Sequence, residues 1–191
     1  MPNHVTNILK FHCTTERFVE IANFLKGGED KPFGTVDFNT VIPMPDYIFR
    51  GNLGIEEKEK YGKDNWYDWS IEHWGTKWNA YDCVVDIDPE LHTLEFYTAW
   101  NCVVKVIDEI SKTFPDVIIT YKWADEDFGY NVGKVKVKNG RGSVLIPDGG
   151  TNEAIELAAE VQGVTPEEWG YTKDENGDYQ YNEDADGRYD W

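Results

Sequence analysis

The sequence predicts an α+β protein, namely a ferredoxin-like split βαβ sandwich with a long insert after the first helix and a C-terminal hairpin-helix extension. The main observation is the order of the patterned segments, which is strand, helix, strand, strand, helix, strand. A second is that 40% of the 191 residues are hydrophobic, which is enough for a core of normal size. A third is an Asn-Gly turn between two alternating segments near residue 140, a strong signal of a hairpin.

The first strand and the first helix precede the insert. Apolar and β-branched residues indicate the strand, and apolar residues at 3/4 spacing after a threonine cap indicate the helix, which stops at two glycines. Two prolines forbid a central strand in the first part of the insert, and a charged helix follows them. These segments are the strand over residues 4–13, the helix to about Lys26, the insert over residues 28–80 and its charged helix from Glu56 to Tyr61.

The rest of the sandwich comes from two strands, a helix and a last strand. Alternating side chains predict the strands, and an amphipathic pattern that ends at Pro115 predicts the helix. The predicted ranges are strands Tyr81–Ile87 and Leu91–Ala99, a helix from Cys102 to Phe114, and a strand from Val117 to Trp123. We assign residues 1–127 to this ferredoxin-like core, including the insert.

The C-terminal third is predicted to add to that core. A hairpin turns at Asn139-Gly140, an amphipathic helix covers Thr151–Val161, and Thr165 caps a further helical turn. We expect this hairpin and helix extension, residues 128–170, to pack on the core. Residues 171–191 form an acidic hairpin and tail around a second Asn-Gly turn.

Charge is the most unusual property of the composition. The chain has 36 acidic and 18 basic residues, a formal net charge of −18. Such a surface repels phosphate backbones and attracts basic protein surfaces, so direct nucleic-acid binding is disfavoured. Solubility alone is the simpler reading of the same number. We predict a host protein with a basic surface as the partner, bound through the acidic tail residues Glu183, Asp184, Asp186 and Asp190.

No pattern of catalytic or metal-ligating residues stands out. Three cysteines lack Cys-x-x-Cys spacing, and four histidines are scattered along the chain. We therefore expect no enzyme activity, no cofactor and no metal. No apolar run approaches the length of a membrane span, and the first residues lack the features of a signal peptide, which predicts a cytoplasmic protein.

A tryptophan-rich segment supplies the candidate ligand site. Residues 66–78 contain four of the eight tryptophans. Such a density indicates either the aromatic plug of the core or a stacking surface for a base or nucleotide, with the plug as the simpler reading. The candidate ligand-binding residues are Trp66, Tyr67, Trp69, Trp74, Lys77, Trp78, Asn79 and Tyr81.

Several motifs together resemble the YubB-type ferredoxin-like domain family, whose members are found mainly on phages and plasmids. They span most of residues 1–140 and depart from the family pattern at His4 and at Asn101-Cys102-Val103. The resemblance implies a ferredoxin-like fold and a mobile-element origin, and it offers no catalytic residues to carry over. The motifs are Met1-Pro2-Asn3 with Asn7, Phe38-Asn39 through Pro45, Trp66-Tyr67-Asp68-Trp69, Trp74 through Tyr81, Thr98-Ala99-Trp100, Phe114-Pro115 and Asp127-Phe128-Gly129.

Two functions remain open from the sequence. The first is a non-catalytic accessory protein of a phage or mobile element, which acts in the host cytoplasm. It would bind and inhibit a host factor, in counter-defence, through its acidic surface. The alternative is a protein that binds or sequesters a small molecule, such as a nucleotide signal, with the tryptophan-rich segment over residues 66–81.

Overall fold

Five antiparallel strands form the main sheet of the structure, a computed structural model that describes residues 2–183. Their order across the sheet is β2-β1-β3-β4-β5. The register pairs Val5 with both Thr98 and Asp125, so the first strand lies between the second and the third. The strands are β1 (His4–His12), β2 (Thr93–Ala99), β3 (Ile118–Asp125), β4 (Val132–Lys138) and β5 (Arg141–Leu145).

Five helices and a small second sheet complete the described part of the chain. The helices are α1 (Thr15–Leu25), α2 (Ile55–Tyr61), α3 (Trp66–His73), α4 (Val104–Thr113) and α5 (Asn152–Gln162). The second sheet is a hairpin of β6 (Tyr171–Lys173) and β7 (Tyr179–Tyr181). Short 3₁₀ helices occur at Phe38–Thr40, Pro89–Leu91 and Glu167–Trp169.

The predicted strand over Tyr81–Ile87 is not regular in the structure. Tyr81 exchanges two backbone hydrogen bonds with Tyr97 of β2, of 2.9 and 3.1 Å, and the Val84 N–H donates to the Glu95 carbonyl at 2.9 Å. Two aspartates then adopt the left-handed conformation, with φ of 45° at Asp82 and 55° at Asp86, and these interrupt the ladder. The segment still lies beside β2, so the split βαβ order is kept.

Alternation along β1 divides the apolar residues between two cores. Val5, Leu9 and Phe11 face the first core, where they meet the buried sides of α1 and α4. Ile8 faces the opposite side of the sheet and packs against the second core, which is built around α5. Because α5 packs mainly on β1, β3 and β4 of the main sheet, part of this second face remains uncovered.

A buried hydrogen-bond network joins β1, β2 and β3 to the start of α4. The Tyr121 hydroxyl donates to Asn7 Oδ1 at 2.6 Å and accepts the Val103 N–H at 2.9 Å. Asn7 Nδ2 in turn donates to the Val5 carbonyl at 2.8 Å and to Thr98 Oγ1 at 2.9 Å. Val103 is the cap residue of α4 and has no capping side chain, but its own N–H, one of the donors left unpaired at a helix start, is satisfied by Tyr121.

The substitution Tyr121→Phe tests this network. It removes one hydroxyl and leaves the Val103 N–H and Asn7 Oδ1 buried without that partner, so we expect a loss of about 2 kcal/mol in the free energy of unfolding. Urea denaturation measures it. Tyr47→Phe is the control, since Tyr47 is 70% exposed and its change should stay within about 0.5 kcal/mol. Equal stability of the two variants would contradict the role of the network.

Candidate functional site

The tryptophan-rich segment begins as α3, and part of it enters the first core. Asn65 caps the helix by accepting the N–H groups of Tyr67 and Asp68 at 3.1 and 3.0 Å. Trp69 and Trp74 are buried, with their rings 5.2 Å apart in an edge contact. The indole N–H of Trp74 donates to the Ile42 carbonyl at 3.0 Å. These two tryptophans are therefore part of the core.

Two more residues of the predicted ligand set hold the insert in place. The indole N–H of Trp66 donates to the Gly51 carbonyl at 3.0 Å. The Asn79 side chain donates to Asp37 Oδ1 at 2.7 Å and accepts the Phe38 N–H at 2.8 Å. Their polar atoms are already satisfied within the protein, so neither side chain has a hydrogen-bonding group to spare for a ligand.

The remaining residues of the set lie near the surface. Lys77 Nζ lies 4.5 Å from the ring centre of Trp78 and 4.9 Å from that of Trp100. Trp78 and Trp100 are 38% and 37% exposed, and Tyr67 contacts Trp100 edge-on. We call Tyr67, Lys77, Trp78 and Trp100 the aromatic patch. Trp100 is outside the predicted set, and only its three-dimensional position brings it beside Lys77.

Trp100 has an unusual backbone conformation. Its φ is 72°, a left-handed value that is rare for a bulky side chain. Two hydrogen bonds hold it there: its N–H donates to the Asn3 carbonyl at 2.9 Å, and its carbonyl accepts from Asn131 Nδ2 at 3.0 Å. The indole is thereby turned outward at the end of β2. Such strain is common at functional sites, which favours a role for the patch.

Tyr81, the last residue of the predicted set, faces β1 and β2. Its hydroxyl donates to the Thr98 carbonyl at 3.2 Å and lies 2.7 Å from His4 Nδ1. Burial, with the negative charges of Asp82 and Glu126, raises the pKa of Tyr81 to about 12. The hydroxyl therefore stays protonated at neutral pH and acts as a hydrogen-bond donor, not as a base.

A cleft of about 350 Å³ opens beside this tyrosine, between the main sheet and the end of α5. Burial raises the pKa of Glu95, which lines the cleft from β2. Its other lining residues are His4, Thr6, Tyr97, Glu126, Gln162, Val164 and Trp169. The lining contains two carboxylates and no lysine or arginine, so the cleft does not suit an anionic ligand.

The cysteines do not provide an activated nucleophile. Cys13, Cys83 and Cys102 are all partly buried free thiols. Burial raises the pKa of each of the three thiols, which lowers the thiolate fraction at neutral pH. Among residues 2–183, no group of three or more His, Cys, Asp or Glu side chains is arranged to hold a metal ion. Nor does any helix in that range have the length and apolar character to cross a membrane.

The acidic surface is concentrated in one structural unit, which we call the acidic layer: α5, the following 3₁₀ helix and the β6–β7 hairpin, residues 148–183. It contains ten acidic residues and one basic residue, Lys173. The Lys173 ammonium lies 3.2 Å from Glu156. The ten acidic residues are Asp148, Glu153, Glu156, Glu160, Glu167, Glu168, Asp174, Glu175, Asp178 and Glu183.

The acidic layer is anchored by contacts of its own. Asn152, the first residue of α5, donates to the Gly177 carbonyl at 3.0 Å and accepts the Tyr179 N–H at 2.8 Å, which fixes the hairpin to the helix. Trp169 stacks on Phe128 with 4.8 Å between ring centres. Of the four predicted protein-binding residues, Glu183 is exposed, and Asp184, Asp186 and Asp190 lie outside the described residues.

The antiparallel sheet with α1 and α4 on one face defines an α+β protein of the ferredoxin-like class. Comparison with known proteins agrees: residues 73–165 match the family model described as a ferredoxin-like domain in Api92-like protein. The match covers slightly less than half of the chain and extends from the end of α3 to beyond α5. No curated protein and no solved structure matches the chain.

Glu95 gives a pH-dependent prediction. Because its pKa is raised by burial, its contribution to stability is complete below the ordinary glutamate pKa of about 4.3 and is lost as the pH rises through the folded-state pKa. Glu95→Gln removes the buried charge, so we expect a larger free energy of unfolding than wild type at neutral pH. The gain should shrink as the protein is acidified.

Urea denaturation at neutral and acidic pH measures this difference. Glu59→Gln on the exposed side of α2 is the matched control, and it should leave the free energy of unfolding almost unchanged at both pH values. A Glu95→Gln variant less stable than wild type at neutral pH would show that the carboxylate is stabilised by its surroundings instead.

Proposed function

We propose that the protein is a non-catalytic accessory protein of a phage or other mobile element, which binds and inhibits a host protein in the host cytoplasm. The acidic layer would be the binding surface, and a basic region of the host protein its target. The resemblance to the YubB-type family supports the mobile-element origin and hence a role in counter-defence. The proposal rests on one observation, the concentration of negative charge in residues 148–183.

The amount of charge in the acidic layer is large for its size. Ten acidic residues against one basic residue give a formal −9 in residues 148–183, which is half of the −18 of the whole chain. A field of one sign over one surface accelerates association with an oppositely charged partner and selects against acidic ones. Evenly spread charge would serve solubility equally well, so the concentration favours binding.

The layer also presents its charges on an ordered scaffold. Ile155 and Ala158 of α5 are fully buried in the second core, while Glu153, Glu156 and Glu160 on the other side of the helix are exposed. A preorganised surface has less conformational entropy to lose on binding than a disordered acidic tail. Carboxylates in a fixed array can occupy the positions that phosphates occupy on a nucleic-acid-binding protein, which would block that protein.

Neutralising three acids of the layer tests the proposal. The triple variant Glu153→Gln, Glu167→Gln and Glu175→Gln changes residues that form no ion pair among the described residues. We expect wild-type protein to capture a specific host protein from lysate at low salt, where charges act over about 30 Å, and the variant to lose most of it. Quantitative affinity capture with mass spectrometry provides the measurement.

The control carries the same change of net charge elsewhere. Glu56→Gln, Glu59→Gln and Glu72→Gln on α2 and α3 should capture the host protein as wild type does. Recovery of no host protein at low salt, or equal losses in both triple variants, would count against the acidic layer as the binding surface.

A second candidate function is binding of a small aromatic ligand, such as a nucleotide, on the aromatic patch. The observation that favours it is the outward indole of Trp100, held in a left-handed backbone conformation beside Lys77 and the exposed Trp78. Stacking of a base on an exposed aromatic ring contributes about 1–3 kcal/mol. Lys77 would add a charge contact to a phosphate.

Tryptophan fluorescence and calorimetry with a panel of nucleotides test this candidate. A nucleotide that stacks on the patch should quench the fluorescence, and Trp78→Ala should weaken its binding about tenfold or more. Tyr47→Ala removes an exposed ring elsewhere and should leave the affinity unchanged. A panel with no responding nucleotide removes this candidate.

A further inference from the structure

A cluster of lysines lies on the part of the main sheet that α5 leaves uncovered. Lys10 of β1, Lys122 of β3, and Lys134 and Lys136 of β4 line a groove of about 430 Å³. We call this the lysine groove. Its other lining residues are Ile8, His12, Thr93, Thr120 and Glu160. The net charge of −18 conceals this local positive surface.

The strand register brings the four lysines together. Lys122 pairs directly with Lys134, and in the next row Thr120 lies between Lys10 and Lys136. Like charges directly opposite each other on neighbouring strands destabilise a sheet. Fold stability therefore gives no reason for this arrangement, whereas a bound anion would relieve the repulsion.

Only part of the positive charge is neutralised within the protein. Lys122 forms an ion pair with Glu160 at the rim, and Lys10 donates to the Leu91 carbonyl. Within residues 2–183, no carboxylate lies within ion-pairing distance of Lys134 or Lys136. The sequence around these two lysines also lacks acids that could pair with them, because residues 128–147 contain four basic residues and no acidic one.

We propose that the lysine groove is a binding site for a compact anion that carries several phosphoryl charges, such as an oligophosphate or a nucleoside triphosphate. Ammonium groups are effective phosphate ligands, and four of them line this one groove. The volume of the groove falls within the range of about 300–1,000 Å³ that is typical of small-molecule sites.

The neighbouring acidic layer sets the size of this ligand. Glu160 of α5 stands at the rim of the groove, and the other exposed acids of α5 follow it along the helix. A long polyanion that left the groove in this direction would pass within the roughly 10 Å over which charges interact at 0.1 M salt. A short ligand avoids this repulsion. The structure thus favours an oligophosphate over a nucleic acid.

Calorimetric titration with inorganic triphosphate and, separately, with ATP tests the site. We expect saturable binding of both, and at least about tenfold weaker binding to the double variant Lys134→Gln and Lys136→Gln. The matched control is Lys58→Gln and Lys60→Gln on α2, which changes the net charge equally and should bind as wild type. Equal affinities of the two double variants would overturn the proposal.

Glu160→Gln provides an independent test, in which the affinity for the anion is expected to rise instead of fall. It removes the carboxylate from the rim and frees Lys122, so we expect tighter binding of inorganic triphosphate than in wild type. Weaker binding in this variant would contradict the assignment of the groove.

Two further outcomes distinguish this proposal from ligand binding on the aromatic patch and from nucleic-acid binding in the groove. ATP binding that depends on Trp78 and not on Lys134 and Lys136, with no binding of inorganic triphosphate, would place the ligand on the aromatic patch and overturn the lysine groove. A single-stranded oligonucleotide that binds more tightly than triphosphate, with the same dependence on lysine, would overturn the preference for a compact ligand.

Discussion

The register of the main sheet depends on a buried hydrogen-bond network around the hydroxyl of Tyr121. This hydroxyl lies in the first core, where it donates to Asn7 of β1 and accepts from Val103, the cap residue of α4, while Asn7 donates to Thr98 of β2. Three strands and one helix therefore share a single set of buried polar atoms. A buried network in which each member has a partner favours one register over its neighbours, because a shift of one residue would leave these atoms unsatisfied.

Register at the centre of the sheet decides what its two faces present. With Asn7 and Tyr121 facing the first core, the intervening residues Ile8, Lys10 and Lys122 must face the opposite side. The apolar part of that side is covered by α5, which brings the acidic layer onto the sheet. The lysine part stays open. One register thus produces both a strongly acidic surface and a basic groove, and the pair between Lys122 and Glu160 lies at their boundary.

Much of the fold could be predicted from local signals. A threonine cap and two glycines marked α1, and amphipathic patterns marked α4 and α5. Both Asn-Gly turns were found where expected, with Asn139 and Gly140 in the left-handed region that a two-residue hairpin requires. The strand over Tyr81–Ile87 was wrong as a regular strand. Its alternation was real, but the left-handed aspartates that break its ladder carry no mark in the sequence that distinguishes them from ordinary surface residues.

The candidate sites were harder to predict from the sequence than the fold, for a different reason. The spacing of Lys134 and Lys136 in an alternating strand was visible, yet Lys10 and Lys122 are distant in the chain, and only the pairing of β1, β3 and β4 brings them together. The net charge of the chain gave no sign of the lysine groove, because a total says nothing about where the individual charges lie. Trp100 likewise joins Lys77 and Trp78 only through the turn at the end of β2.

The proximity of the two charged surfaces has a consequence for the two proposals. An anion in the lysine groove would cancel the positive charge at the edge of the acidic layer and so strengthen the field that a basic partner meets. The two ligands would then favour each other's binding, and linkage requires that the effect be equal in both directions. Because the groove and the layer are both fixed to the same sheet, this coupling needs no conformational change. It would be electrostatic, and increasing salt should weaken it as the screening length falls below the separation of the two surfaces.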